Sequence, residues 1–259
     1  MELLQAVILA VIQGVTEWLP VSSSAHLALA QQLMGLQVPV SFDVMLHFGT
    51  LVSVAAYYRE KVWGILAAVS RLDFKGEEGR LAVLILVAGV PTALIGFAGK
   101  AFFEGMFASP VLIGCALFLT GTVLFLTRYA RDAGKPLSPA SALVIGAAQG
   151  LAVAPGISRS GWTISAGMLL GVPKGKAADY AFLLSIPTVV AAAAVEGRNA
   201  LFSDVSLSIV LAGVTVSALV GYAAIWALLK TVKNGDFYLF SLYCWVAAAF
   251  AIALGLNLF

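Results

Sequence analysis

Gln13 to His26 reads QGVTEWLPVSSSAH, and it lies inside an apolar run that should cross a membrane and cannot do so. The carboxylate of Glu17, Pro20, three consecutive serines and His26 occupy what would be the middle of the bilayer. Farther on, Gly150 to Thr163 reads GLAVAPGISRSGWT and places Arg159 between two serines just after Pro155. The two interruptions read as two parts of one site.

Composition sets the class. Hydrophobic residues make up 61% of the chain and charged ones 11%, and the mean hydropathy is +0.99. Soluble domains carry about a quarter charged residues, so this is expected to be a polytopic membrane protein. No Lys or Arg precedes Arg59, which leaves the N-terminus without the basic region of a signal peptide. The first apolar run is therefore expected to stay in the mature protein. Cys115 and Cys244 lie in apolar segments with no CxxC or Cys/His cluster and read as packing thiols. A net charge of +2, with its basic residues strung along loops, does not point to nucleic acid.

A helix needs about 20 apolar residues to cross the hydrocarbon. Six stretches qualify: Phe42–Tyr58, Leu81–Ala98, Val111–Tyr129, Tyr180–Val195, Leu207–Leu229 and Phe237–Leu256. The runs Met1–Met34 and Ala140–Leu170 are too long for one span, and each is broken near its centre. Two half-length helices that enter and leave on one side would produce this pattern, and irregular backbone at that depth is tolerated only under protein or in a wet cavity. The expected fold is an all-α polytopic membrane protein with six transmembrane helices and two re-entrant helix-loop-helix elements.

Charge supports that topology. If both broken regions return to their own side, one face collects Arg59, Lys61, Arg71, Lys75, Arg80, Arg128, Arg131, Lys135, Lys174, Lys176, Lys230 and Lys233, against Lys100 and Arg198 on the other. The rich face is then cytoplasmic. The first broken region opens to the outside and the second enters from the cytoplasm. Arg71–Arg80 reads as a solvated cytoplasmic turn.

The single membrane domain, 1–259, also reads as a duplication. Gln13-Gly14 superposes on Gln149-Gly150 and, with one residue skipped, Pro20 meets Pro155 and Ser23 meets Ser158. His47–Val52 then falls opposite Ser185–Val190, and AGVPTALIGF from Ala88 opposite AGVTVSALVGY from Ala212. The halves, approximately 1–130 and 140–259, each hold a broken region and an odd number of spans, which inverts one against the other. Inverted repeats with broken helices place the ligand site where half-helix ends converge. The two tips are expected to meet.

Gln13 and Glu17 are four residues apart on one helical face. A carboxylate at this depth is costly unless paired or coordinated. The serines after Pro20 resemble a helix start with a capping serine and open N–H groups, a natural anion site. Ser22 and Ser23 are helical neighbours of His26, which sets a hydroxyl beside an imidazole, the minimum for an activated nucleophile. In the second tip Arg159 carries a permanent charge in a fork suited to phosphate oxygens. Ser158, Ser160 and Thr163 add donors, and Gly156 and Gly161 let the backbone approach a ligand. Gly146 and Gly150 are spaced for close helix approach. His47 reads as a structural hydrogen-bonder, and Asp43 and Asp179 as residues at helix starts. Such a site suits a phosphorylated ligand and has the parts to hydrolyse it.

These motifs, with FDVMLHFGT and YAFLLSIPT in the same order, resemble the undecaprenyl-pyrophosphate phosphatase family, also called the bacitracin-resistance family. The resemblance covers nearly the whole chain: the family's (E/Q)xxxE signature is met by Gln13 and Glu17, its serine segment by Ser22 to His26, and PGxSRSxxT by Pro155 to Thr163. It implies a multi-pass enzyme of the inner (plasma) membrane that removes the terminal phosphate of a polyprenyl diphosphate to recycle the cell-wall lipid carrier. It further implies a site facing the periplasm or exterior, and help from a divalent cation. Three positions depart from the family pattern: Gln13 stands where an acid is usual, and Ala25 and Trp162 stand where small Gly and Ala are usual.

On this resemblance Glu17, Ser23, His26 and Arg159 are the expected catalytic residues. Ser22, Gly156, Ser158, Ser160 and Thr163 are expected to bind phosphate, and Glu17 with Gln13 to position Mg²⁺ or Ca²⁺. The nucleophile is Ser23, His26 or a water prepared by His26. Expected partners are the polyprenyl diphosphate, membrane lipids and a second copy of the chain in a homodimer. A lipid-phosphate flippase or anion transporter would use the same inverted-repeat architecture, with less need of Glu17, Ser23 and His26.

Overall fold

The computed structural model describes residues 2–200 and 205–258, with the side chains at 192, 193 and 195–200 outside the description. Among the described residues every regular element is helical: α1 (Leu3–Trp18), α2 (Ser23–Leu33), α3 (Val40–Tyr57), α4 (Arg59–Ser70), α5 (Glu77–Met106), α6 (Pro110–Leu126), α7 (Pro139–Leu151), α8 (Arg159–Leu169), α9 (Lys174–Ala200), α10 (Leu207–Asn234) and α11 (Phe240–Gly255). Short 3-10 turns at Thr127–Tyr129 and Phe237–Leu239 extend α6 and lead into α11.

Five of the described helices are long and apolar enough to cross a membrane: α3, α5, α10, and α6 and α11 with their 3-10 turns. They overlap the expected spans, with α5, at 30 residues, and α10, at 28, running beyond theirs. This is an all-α polytopic membrane protein. The remaining expected span, Tyr180–Val195, falls within α9. Part of it, like the Arg198 side chain of the charge count, lies outside the described residues.

The two broken regions are each a pair of short helices. With 16 residues in α1 and 13 in α7, at about 1.5 Å per residue, neither reaches the ~30 Å of a hydrocarbon core. Helix α1 stops because Leu19, which precedes Pro20, is held extended at φ −66° and ψ 147°. Ser22 then takes a left-handed φ of 69°, and α2 begins. Helix α7 opens with Pro139 in its first turn and the Ser138 hydroxyl accepting the Ser141 N–H. It ends before Pro155-Gly156, where Gly156 adopts φ 95°.

Small residues bring the broken helices onto long ones. A Cβ at Gly14 would stand 2.8 Å from Val220 Cβ, so α1 lies directly on α10. A Cβ at Gly150 would stand 2.8 Å from Ile95 Cβ, which seats α7 on α5. The expected close approach at Gly150 is therefore present. Helices α3 and α9 pack on each other, as do α6 and α11. The largest core cluster gathers Trp18, Phe182, Ile164 and Ile225. Trp18 stands edge-on to Phe182 at 5.3 Å and its Nε1 donates to Ser53 Oγ at 3.3 Å. The residue after Glu17 thus anchors the first tip.

Two features differ from the sequence reading. Arg59–Ser70 is a helix, α4, with no buried residue; at 12 residues it is too short to register as a span. Asp179 does more than flank a helix start: it takes the Tyr58 hydroxyl at 2.7 Å and Lys61 Nζ at 2.9 Å, clamping the beginning of α4 to α9. Asp43 sits in the first turn of α3 as expected, with Gln31 Nε2 at 2.9 Å from Oδ1.

Candidate active site

The carboxylate of Glu17 is the hub where the tips meet. It stands at the end of α1, whose 3.6-residue period places Gln13 one turn below it, and Gln13 Nε2 donates to Glu17 Oε2 at 2.9 Å. Across the break, Ser23 Oγ donates to the same oxygen at 2.5 Å. Arg159, the first residue of α8, forms an ion pair with Oε1. Gln13 is fully buried and Glu17 is 5% exposed. A lone charge of either sign would be costly at this depth; here each neutralises the other. The Arg159 side chain keeps 18% exposure beside this ion pair.

Backbone contacts lock one tip to the other. The Gly156 N–H donates to Ser22 Oγ at 3.0 Å, and Ser160 Oγ donates to the Leu19 carbonyl at 3.1 Å. Ser22 therefore does not cap its own helix, as its position suggests; its side chain serves the second tip instead. Ser158 does cap, accepting the Gly161 N–H at 3.1 Å. The φ of Gly156 admits few other residues, and a Cβ there would stand 2.5 Å from the Ile113 carbonyl. Thr163 Oγ1 donates back to the Arg159 carbonyl at 2.7 Å and holds the first turn of α8.

Ser23 and His26 are not joined to each other. The hydroxyl goes to Glu17, while His26 Nδ1 donates to the Ser22 carbonyl at 2.8 Å. That assignment leaves Nε2 of the neutral ring as an acceptor, and it takes the Tyr243 hydroxyl at 2.7 Å. The two rings stack 15° from parallel with centroids 5.6 Å apart. An i,i+3 spacing makes two side chains neighbours, but the left-handed turn at Ser22 directs this serine back under α1.

Three residues join the site that the sequence reading left out. His47 Nε2 lies 3.5 Å from Glu17 Oε2, with Nδ1 on the Asp43 carbonyl at 2.8 Å. Thr120 of α6 donates to the Gly156 carbonyl at 2.8 Å and accepts from Ser158 N and Trp162 Nε1, both at 3.2 Å. Tyr243 of α11 is the third. A signal existed for His47, whose HFGT stretch marks the duplication; Thr120 and Tyr243 sit in apolar spans with no local signal.

The donors bear on a cation. Among the described residues no group of three or more His, Cys, Asp or Glu gathers to hold a metal. Gln13 Oε1 is buried without a hydrogen-bond partner, however, directly beside the Glu17 carboxylate. One open carbonyl oxygen and one carboxylate fit a hard cation that takes its other oxygens from a phosphorylated ligand and water.

Comparison with known proteins adds an independent line. Residues 6–250 match the family model described as bacitracin resistance protein BacA. The chain is 42% identical to the undecaprenyl-diphosphatase of Desulforapulum autotrophicum, covering 98% of this chain and 99% of that one. It is also 42% identical to the undecaprenyl-diphosphatase of Desulfosudis oleivorans, over 99% and 100% of the two chains. With that of Methanosphaera stadtmanae it shares 36% identity over the full length of both.

Proposed function

This chain belongs to the bacitracin resistance protein BacA family, and from that premise we propose how its two tips act. The protein is a membrane phosphatase acting on undecaprenyl diphosphate. The observation that carries our reading of its site is the divided use of Glu17, with Arg159 on one oxygen and the Ser23 hydroxyl on the other.

The diphosphate approaches the guanidinium of Arg159. Contact with it draws the guanidinium off Glu17 and onto the phosphate oxygens, where charge develops in the transition state. Glu17 Oε2, already hydrogen-bonded to Ser23, then takes the serine proton as Ser23 Oγ attacks the terminal phosphorus. The bond from that phosphorus to the bridging oxygen breaks, and undecaprenyl phosphate leaves. Water afterwards attacks the phosphoserine and releases phosphate. Ser22, Gly156, Ser158, Ser160 and Thr163 shape the cradle: their hydrogen bonds hold the tips in register around the phosphate. His26 lies beside this cradle through the Ser22 carbonyl.

A divalent cation, Mg²⁺ or Ca²⁺, would be held by Gln13 and Glu17 and would neutralise charge on the diphosphate. We further propose that both broken elements are re-entrant, that α9 completes six spans, and that the halves are an inverted repeat. Support comes from reciprocal packing: α1 of the first half lies on α10 of the second, and α7 of the second on α5 of the first. The positive-inside bias then turns the first tip toward the cell exterior in the plasma membrane.

Phosphate release by the purified protein in detergent micelles tests the mechanism, since micelles offer no second compartment for transport. Release is expected from wild type, with ³²P transferred from the terminal phosphate to Ser23 on rapid acid quench. Label confined to another residue, or full turnover by Ser23→Ala, would remove Ser23 as the nucleophile.

A further inference from the structure

Helix α10 has 28 residues, a length of about 42 Å against a hydrocarbon core of about 30 Å. Its first turns, Leu207–Val214, carry no charge, so the excess emerges at the other end, with Lys230, Lys233 and Asn234. On the face turned from the core, Leu219, Tyr222, Trp226, Lys230 and Lys233 are exposed at steps of three or four residues and form one straight row. The row runs from apolar through aromatic to basic. Against its basic end lies a groove of about 300 Å³, lined by Tyr57 of α3 and by Trp226, Leu229, Lys230, Lys233 and Asn234 of α10. Tyr57 meets Tyr222 with ring centroids 5.4 Å apart, and Lys230 Nζ lies over the Trp226 ring, 5.4 Å from its centroid. Among the described residues neither lysine is ion-paired, whereas Lys61 nearby in the chain's basic set is taken by Asp179.

We propose that this groove seats the headgroup of an anionic phospholipid, with an acyl chain laid along Tyr222 and Leu219. A phospholipid has the same order along its length as the row: chain, ester region, phosphodiester. Tyrosine and tryptophan suit the ester level, where one part of the ring meets hydrocarbon and another meets water. Lysine stems lie on apolar surface while their ammonium groups reach the headgroups. The end of a helix presents carbonyl oxygens, which repel an anion and favour a cation. The attraction therefore has to come from Lys230 and Lys233, with Asn234 adding a neutral donor. A lipid whose phosphodiester carries a net negative charge offsets both ammonium groups. A zwitterionic lipid brings its own cation into the same space and is disfavoured.

None of the residues lining the groove belongs to the two tips, so the lipid held here is a ligand and not the substrate. It bridges the end of α3 and the end of α10. The first of these helices carries His47, and the second supports α1 at Gly14. A ligand that binds only the folded chain stabilises it by mass action, so anionic lipid raises the temperature at which the protein unfolds.

Native mass spectrometry of the detergent-purified protein, titrated with dioleoyl phosphatidylglycerol or dioleoyl phosphatidylcholine, reads the apparent Kd for each. Wild type is expected to bind the glycerol lipid about tenfold or more tighter, at roughly fivefold for each lysine. The double variant Lys230→Gln/Lys233→Gln should bring the two lipids within about twofold of each other. Arg71→Gln/Lys75→Gln removes the same charge from the exposed turn between α4 and α5 and should keep the wild-type preference. Phosphatidylglycerol should also raise the unfolding midpoint of wild type more than phosphatidylcholine does, and this difference should vanish in the Lys230/Lys233 variant. Equal binding of the two lipids by wild type would overturn the proposal without recourse to any variant. So would a preference that survives loss of both groove lysines, or equal losses in the two double variants, which would mark a diffuse effect of charge. Displacement of the lipid by an equal concentration of glycerol 3-phosphate would make the groove a seat for soluble phosphate and overturn the lipid as its occupant.

Discussion

Glu17 and Arg159, from the two interrupted regions of the chain, form an ion pair that occupies only Oε1 of the carboxylate and leaves Oε2 to the Ser23 hydroxyl at 2.5 Å. The pair serves two ends, since it lets both charges lie at membrane depth and it holds the proposed base beside the proposed nucleophile. These roles separate on mutation.

Removing one partner of a buried pair leaves an uncompensated charge, at a cost of about 3–5 kcal/mol. Glu17→Gln and Arg159→Gln are each expected to unfold at lower temperature in detergent, and the double variant to recover much of the loss. Activity should not recover. Loss of the charge-stabilising guanidinium is expected to lower kcat by roughly several hundredfold, and the double variant should be no faster than either single one. A double variant with near wild-type turnover would take the pair out of catalysis.

Thr120 supplies one hydroxyl to three groups of the second tip. Thr120→Val keeps the shape and strips these bonds, at about 1–3 kcal/mol for each buried group left unsatisfied. We expect a lower midpoint of thermal unfolding together with a fall in kcat/KM of about tenfold or more. Unaltered values of both would mean that the tip holds its shape without α6.

Gly156→Ala places a Cβ against the Ile113 carbonyl at a φ of 95°, where the strain costs more than the roughly 0.4–1 kcal/mol a favourable Gly-to-Ala change contributes. Its N–H also contacts Ser22 across the site. The variant should lose activity by about tenfold or more, in proportion to the displaced geometry. Gly105→Ala, at a helical glycine with open space around it, is the control and should keep wild-type activity.

Gln13→Glu restores a second carboxylate beside Glu17. Two carboxylates bind hard cations more tightly than one with an amide, so the Mg²⁺ concentration for half-maximal activity after chelator treatment should drop by about tenfold or more. Activity that ignores chelator in both forms would count against a cation at this position.

Much of this was legible in the chain because a bilayer leaves few options. Pro20 and Pro155, amid polar residues in apolar runs, mark helices that stop short, and the structure ends α1 at Trp18 and α7 at Leu151. An isolated Glu17 and an isolated Arg159 at that depth each demanded a partner, and they found one another. The Ser23–His26 pairing failed for a local reason: spacing defines a face, while the backbone at Ser22 decides where the hydroxyl points. Thr120 and Tyr243 reach the site from distant helices, and no pattern within their own helices records that approach. Helix α4 lacked the length by which the spans were recognised.

The crossed contacts between the tips also constrain how the protein is made. The Leu19 carbonyl waits for the hydroxyl of Ser160, and the Ser22 hydroxyl waits for the N–H of Gly156. A ribosome delivers the first pair long before the second. During that interval the early half holds a buried carboxylate without its arginine, so it has to keep water or a helper beside its tip. Its native interior becomes available only once α8 has left the tunnel, which makes the final third of synthesis the step that commits the first third to its place in the bilayer.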